Sequence, residues 1–365
     1  MIAPAIKRSP LAADLDHVMA HTQGLWEELR GEAVFITGGT GFFGRWLLES
    51  FAEANRHLSL GAQAVVLTRD PDRFRRSAER LASNEFIQLV KGDVQTLDAE
   101  IIQSQLGSSA PDRFAHIIHG ASETSEPANR NHPSKVLDTL FAGTRRTLDF
   151  GARMGTENFL LVSSGAVYGD QPGHLSHLPE NYPGAPDVRA PMSAYGEGKR
   201  VAELLCNAQG RSSKMKCKIA RCFAFVGPHL ALDAHYAIGN FVRDALDGKP
   251  IQVKGDGTPF RSYLYAADLA IWLWTMMLNP GATGTYNVGS DDAHSIREIA
   301  ECVSHNSPHQ PLVTVAQKPD GNRSASRYVP DISRARRELG LQVWTPLDVA
   351  VRKTIEFYQQ PRTFL

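Results

Sequence analysis

The 365-residue sequence predicts an α/β fold: a doubly wound parallel sheet followed by a smaller mixed α/β C-terminal lobe. Three observations predict it. Short apolar runs alternate with segments of helical period from Glu32 onward, a glycine-rich turn joins the first run to the first helix, and the rhythm loosens beyond Gly227 and Pro228. At 42% hydrophobic and 21% charged, the chain has enough apolar matter for a large core, which excludes disorder and fibre.

In chain order, residues 1–30 precede the first strand signal. Leu11, Leu15, Val18, Met19 and Leu25 recur at helical spacing and predict a helical extension. The runs AVFIT, AVVLT, FIQLV, HIIHG, FLLVSS and KIARCFAFV then read as strands buried on both faces, so residues 31–225 form the sheet domain. Residues 226–365 hold five helical segments and short strands such as PIQV and TYNVG, some of which are expected to return to the sheet domain. The Pro- and Gly-rich stretch Gly169 to Pro191 is a long loop, either over a site or on the plain surface.

Charge and cysteine usage narrow the partners. Lys plus Arg and Asp plus Glu each number 39, so no global basic field draws nucleic acid or an acidic membrane. Cys206, Cys217, Cys222 and Cys302 contain no CxxC pair and no metal-site or disulfide spacing, which suits a reducing compartment and predicts no metal. No signal-peptide core opens the chain, and the apolar stretch Ala266 to Leu278 carries Asp268 and falls short of the ~20 residues that span a bilayer. A cytoplasmic protein is expected.

The turn GGTGFFG sets Gly38, Gly41 and Gly44 in a GxxGxxG series, with Phe42 and Phe43 inside it, between a strand and an amphipathic helix. Such a turn lets backbone N–H groups and the positive end of the helix meet a pyrophosphate, so a Rossmann-type dinucleotide site is expected. The next strand ends in Thr68, Arg69 and Asp70, beside the adenosine ribose. A guanidinium there pairs with a 2′-phosphate and favours NADP(H), while Asp70 keeps NAD(H) open. Asp93, followed by Val94, either binds the adenine amino group or caps the next helix.

Tyr195 and Lys199 stand four apart at the start of a helix and share a face, an arrangement that also occurs on plain solvated helices. A phenol of pKa ~10 becomes a usable acid or base when an ammonium and a nicotinamide cation favour its phenolate. Upstream, LLVSSGAVYG ends a strand at the crevice side of the sheet. Ser164 there either holds the substrate oxygen that Tyr195 protonates or simply ends the strand.

TGGTGFFG, SSGAVYG, YGEGK, FVGP, GDGTPFRSYLYAADLA and DISRARRELG occur here in one order, and from Ala33 onward the chain resembles the extended short-chain dehydrogenase/reductases of the nucleotide-sugar epimerase/dehydratase group. The resemblance implies Ser164, Tyr195 and Lys199 as catalytic triad and a nucleotide-diphosphate sugar as substrate, bound by the C-terminal lobe. It implies that His119, Gly120, Ala121 and Ser122 line the pyrophosphate and nicotinamide ribose, and that Arg261 holds the diphosphate, with Arg323 and Arg327 assisting. A homodimer through the helices after Val94 and around Phe141 to Met154 is implied by resemblance alone; Leu140, Phe141, Leu148 and Phe150 are equally readable as core.

Departures from the group's pattern narrow the reaction. Dehydratases carry an Asp-Glu pair directly after the catalytic hydroxyl, and sugar-acid decarboxylases a Glu where Ala166 stands; this chain has Gly165 and Ala166, which transfer no proton. A 4-ketoreductase and a 4-epimerase remain, equally compatible with the acid-free strand end. The Thr68-Arg69 end of the second strand tilts the expectation to a 4-ketoreductase using NADPH, with a 4-epimerase holding NAD as the alternative and a non-catalytic cofactor-sensing protein as a second. The group often has Asn where Ala224 and Leu140 stand, so contacts to the sugar or diphosphate are expected to differ.

Overall fold

The computed structural model describes residues 10–123, 126–190, 192–234, 236–320 and 324–360. Seven parallel strands make the central sheet: β1 (Ala33–Thr37), β2 (Gln63–Thr68), β3 (Ile87–Lys91), β4 (His116–His119), β5 (Asn158–Ser164), β6 (Lys216–Cys222) and β7 (Gly284–Val288). Their order is β7-β6-β5-β4-β1-β2-β3. The order reverses between β1 and β4, and a crevice opens there at the carboxyl ends of the strands. β7 belongs to the C-terminal part of the chain and returns to pair with β6, Gly284 opposite Lys218 through Val288 opposite Cys222.

Alternate residues of each buried strand feed opposite layers. Phe35, Val65, Ile117, Phe159 and Leu161 point to one face, which is covered by α3 (Pro133–Arg153) and α4 (Ser193–Ser212). Val34, Ile36, Val66, Ile118 and Leu160 point to the other, covered by α2 (Phe42–Leu58) and α5 (Ala266–Leu278). Every residue of the 13-residue α5 is buried, and among the described residues no helix is long and apolar enough to cross a membrane. An apolar helix this short is a core element.

The N-terminal segment is part of this core. α1 (Ala12–His21) and the 3-10 turn Leu25–Leu29 lie against α5, with Trp26 and Trp274 ring centroids 4.9 Å apart. Buried Asp14 accepts hydrogen bonds from the Tyr265 hydroxyl at 2.7 Å and from Lys353 Nζ at 2.5 Å. His17 Nε2 lies 3.0 Å from Asp268 Oδ1, whose carboxylate also accepts from the backbone of Trp344 and Thr345. These contacts fix the segment by packing and by complementary charge.

In the C-terminal lobe, Phe260–Arg261 is the centre of a small sheet, antiparallel to His294–Ser295 and parallel to Arg327–Tyr328. The loop between Gly169 and Pro191 ties this lobe to the strand ends. Leu178 is fully buried in it, donates its N–H to the Val329 carbonyl at 2.8 Å and bridges Pro330.

Candidate active site

Three glycines of the turn after β1 have three different geometric reasons. Gly38 has φ +75° and packs so close to the β4 end that a Cβ would lie 2.5 Å from the Gly120 carbonyl carbon. A Cβ on Gly44 would overlap the Gly39 backbone, so the missing side chain lets α2 sit down on the turn. Gly41 faces open space: its nearest neighbour would be the Gly38 oxygen at 3.5 Å. Gly41 is also the N-cap of α2 and supplies no side-chain cap, so the first N–H groups of a 17-residue helix have no side-chain acceptor there. An uncapped helix start over an open glycine fits a dinucleotide pyrophosphate. Phe42 and Phe43 begin the helix half-buried, and Phe43 packs edge-on against Phe225, ring centroids 4.8 Å apart.

At the end of β2, Thr68 is buried and Arg69 and Asp70 are exposed. The Asp70 carboxylate caps the helix Pro71–Ser77, accepting the Arg73 N–H at 2.9 Å, while Arg69 has no ion pair or hydrogen bond among the described residues. Asp93 likewise caps a turn by accepting the Gln95 N–H at 2.9 Å. Buried Val94 faces α3, filling the place of a Gly143 side chain.

His119 is buried behind the crevice. One ring nitrogen lies 2.8 Å from the Thr37 hydroxyl and the other 3.1 Å from that of Thr144, and burial beside the Lys199 charge pulls its pKa down to about 3. Ala121 donates its N–H to the Thr37 hydroxyl at 3.2 Å and Gly120 to the Thr37 carbonyl at 3.0 Å. Thr37 thus clamps the β1 turn to the β4 turn. Sequence reasoning passed over it, although its place at the end of the first strand was a usable signal.

Ser164, Tyr195, Lys199 and Ser122 come together at the carboxyl ends of β4 and β5. Ser164 ends β5 and its Oγ accepts the Ala166 N–H at 3.1 Å. Burial drives the Tyr195 phenol well above its usual pKa, opposed by the neighbouring Ser164 and Ser122 hydroxyls, which favour the ionised form. Lys199 Nζ lies 5.8 Å from the Tyr195 ring centroid and donates to the Val162 carbonyl at 2.6 Å. Burial lowers the lysine to about 8, with the surrounding Cys222, Glu203 and Cys206 favouring its charged form. A protonated phenol, a lysine that readily releases a proton and a serine hydroxyl make a set able to hand a proton to an oxygen in the crevice.

Residues 165 and 166 carry no acid. A Cβ on Gly165 would lie 2.6 Å from the Tyr328 hydroxyl and 2.9 Å from the Phe223 ring, so that space is already filled. Tyr328 was not singled out in the sequence, because nothing in its local pattern connects it with a strand end so far away in the chain. Arg261 pairs in register with Tyr328, its guanidinium 6.0 Å from the Tyr328 centroid and bonded to the Phe260 carbonyl, with no carboxylate partner among the described residues. Arg327 lies over the Phe260 ring at 4.2 Å. Arg323 lies outside the described residues. Leu140 is buried against Gly198 between α3 and α4, and Ala224 is partly buried on the main core. No group of three or more His, Cys, Asp or Glu suited to a metal occurs among the described residues.

Comparison with known proteins places these features in a family context. Residues 34–289 match the model of the NAD dependent epimerase/dehydratase family. A UDP-glucuronic acid decarboxylase 1 of Danio rerio is 29% identical over 328 residues, covering 90% of this chain and 72% of that protein. Among solved structures, a UDP-glucose 4-epimerase of Thermotoga maritima with UDP-glucose has a TM-score of 0.73 at 19% identity, over 90% of this chain and 98% of that one. A UDP-glucose 4-epimerase of Thermus thermophilus in complex with NAD gives 0.72 at 22%, over 90% and 99%. At such identities the structural likeness is one of fold.

Proposed function

The chain belongs to the NAD-dependent epimerase/dehydratase family, and from that premise we propose that it catalyses hydride transfer at C4 of a nucleotide-diphosphate sugar, as a 4-ketoreductase. Ser164, Tyr195 and Lys199 share the crevice while positions 165 and 166 hold no carboxylate, which leaves reduction or epimerisation at C4. The observation that carries the choice of reduction is Arg69 at the end of β2, unpaired among the described residues. Elimination of water from the sugar needs a separate acid and base near the reacting carbons, and neither residue supplies one.

A nicotinamide dinucleotide, when bound, supplies or accepts the hydride. Gly38, Gly41 and Gly44 with Phe42 and Phe43, the β2 end Thr68 to Asp70, Asp93 with Val94, and His119 to Ser122 would hold it. With Asp70 engaged as a helix cap and Arg69 unpaired, the β2 end suits a 2′-phosphate, and we infer NADP(H) over NAD(H).

The chain's own residues do the rest. Tyr195 is half-buried and desolvation keeps its phenol protonated, the state in which it donates to the oxygen of a ketone being reduced. Ser164 holds that oxygen, and Lys199, fixed on the Val162 carbonyl, lowers the cost of the phenolate left behind. Arg261, free of carboxylates, forks onto the diphosphate. Four free thiols fit a cytoplasmic setting. Ile101, Leu137, Phe141 and Leu204, exposed on the helices of the α3 and α4 face, suit a homodimer.

The test is NADPH oxidation with a 4-keto nucleotide sugar, alongside UDP-glucose, UDP-galactose and UDP-glucuronic acid. Reduction of the ketone is expected, and Tyr195→Phe should lower it by about 10²–10⁴-fold. Release of carbon dioxide from UDP-glucuronic acid, or a 6-deoxy product, would sink the proposal. A 4-epimerase is the second reading, since the same acid-free set serves it; NAD released tightly held from denatured protein, with UDP-glucose and UDP-galactose interconverted, would select it.

A further inference from the structure

The crevice holds a second phenol. Tyr328 lies on the strand Arg327–Tyr328, beside Arg261, with its ring 4.7 Å from that of Phe223. The strand is braced from outside, because the next residue, Val329, donates its N–H to Gln171 Oε1 at 3.0 Å and accepts that of Leu178. Its hydroxyl occupies the space that the absent side chain of Gly165 leaves at the end of β5. That space adjoins Ser164, whose hydroxyl favours the ionised form of both Tyr195 and Tyr328.

A serine hydroxyl has one proton and two lone pairs. The Ala166 N–H takes one lone pair of Ser164 Oγ. A phenol that donates into the other leaves the serine proton only one way to point, toward Tyr195 and the oxygen in front of it. Resting on the function proposed above, we propose that Tyr328 is a positioning residue whose hydroxyl donates to Ser164 Oγ and aims the serine proton at Tyr195 and the sugar oxygen. Burial pushes the Tyr328 phenol up, an effect that outweighs the Ser164 hydroxyl and to which the nearby Tyr195 adds, so Tyr328 stays a donor when Tyr195 ionises. A hydroxyl polarised from behind is a stronger donor in front, so Tyr328 favours the Tyr195 phenolate without touching the reacting atoms. It also explains why position 165 is glycine.

The experiment is a spectroscopic titration of tyrosinate in the full chain saturated with NAD⁺ and, in parallel, NADP⁺. It compares the native protein with Tyr195→Phe, Tyr328→Phe and Gly165→Ala. The difference between native protein and Tyr195→Phe isolates the Tyr195 ionisation. Should that difference contain no ionisation within the titrated range, Tyr195 is not the titrating phenol of the crevice, and its role in the proposed function and this assignment fail together. Given the ionisation, Tyr328→Phe is expected to move it upward by about half to one pH unit, the worth of one hydrogen bond, with nucleotide affinity unchanged. Gly165→Ala keeps the phenol but pushes it off Ser164, and is expected to act in the same direction. A Tyr195 ionisation that stays in place in both variants overturns the role of Tyr328 while leaving that of Tyr195 intact.

Discussion

Ser163 and Ser164 are chemically identical neighbours with opposite fates. The strand pleat sends Ser164 into the crevice and Ser163 to the other face, where its hydroxyl donates to Glu203 Oε1 at 2.5 Å. Glu203 also holds Arg221 at 2.7 Å, and Arg221 lies 4.7 Å over the Tyr168 ring, so a buried charged network stiffens the back of the site. Two buried histidines, His119 and His229, are held neutral. Burial brings both His119 and His229 down to about 3 from the ordinary 6.5, with Lys199 adding to the effect on the first and Arg45 and Arg80 on the second. Between those values the unfolded chain binds protons that the folded chain refuses, so their contribution to stability is complete above 6.5 and is lost as pH falls toward 3. Urea midpoints should therefore drop with acidification through that window, and His119→Asn should flatten the slope by about one proton; an unchanged slope would mean that His119 titrates normally.

Among the elements, the N-terminal segment owes most to its tertiary setting. Its helical period marks an amphipathic helix, but the period says nothing about what the apolar face meets. In the fold, Leu15, Val18, Trp26 and Leu29 enter the main core, and Trp26 Nε1 donates to the Thr22 hydroxyl at 2.8 Å while its ring packs on Trp274 of α5. The segment thus covers a helix that is buried on all sides. Trp26→Ala should cost about 3–5 kcal/mol in equilibrium unfolding, a cavity-sized loss. A loss below 1 kcal/mol would indicate a loosely attached arm.

Across the whole molecule, two covered sheet faces leave one crevice at the strand ends, bridged by the loop around Leu178. The helical layer of α3 and α4 separates the apolar residues of Leu140 to Phe150 cleanly: Leu140, Leu148 and Phe150 are buried, whereas Phe141 is 51% exposed and stands with Leu204, 66% exposed, on the outer side. Solitary exposed leucines are ordinary, but Leu137 and Phe141, one turn apart on α3, are exposed together with Leu204 of the neighbouring α4, which suits a second copy. Native protein should sediment as a dimer and Phe141→Asp with Leu204→Asp as a folded monomer. A native monomer at micromolar concentration would remove the dimer from the account.

The sheet, the glycine turn and the Tyr195–Lys199 spacing were legible because they are local: period, turn chemistry and a four-residue helical offset act over one element. The same locality explains why Asp70 and Asp93 could be read two ways, since a carboxylate at a strand end is placed for a ribose, an adenine or a helix N-terminus alike. Both cap in the structure. What no local pattern could reveal is Tyr328 reaching Gly165, Thr37 tying two turns together, or α1 sealing α5. Each joins residues far apart in the chain, and only the closing of the sheet and its packed layers brings them within contact distance.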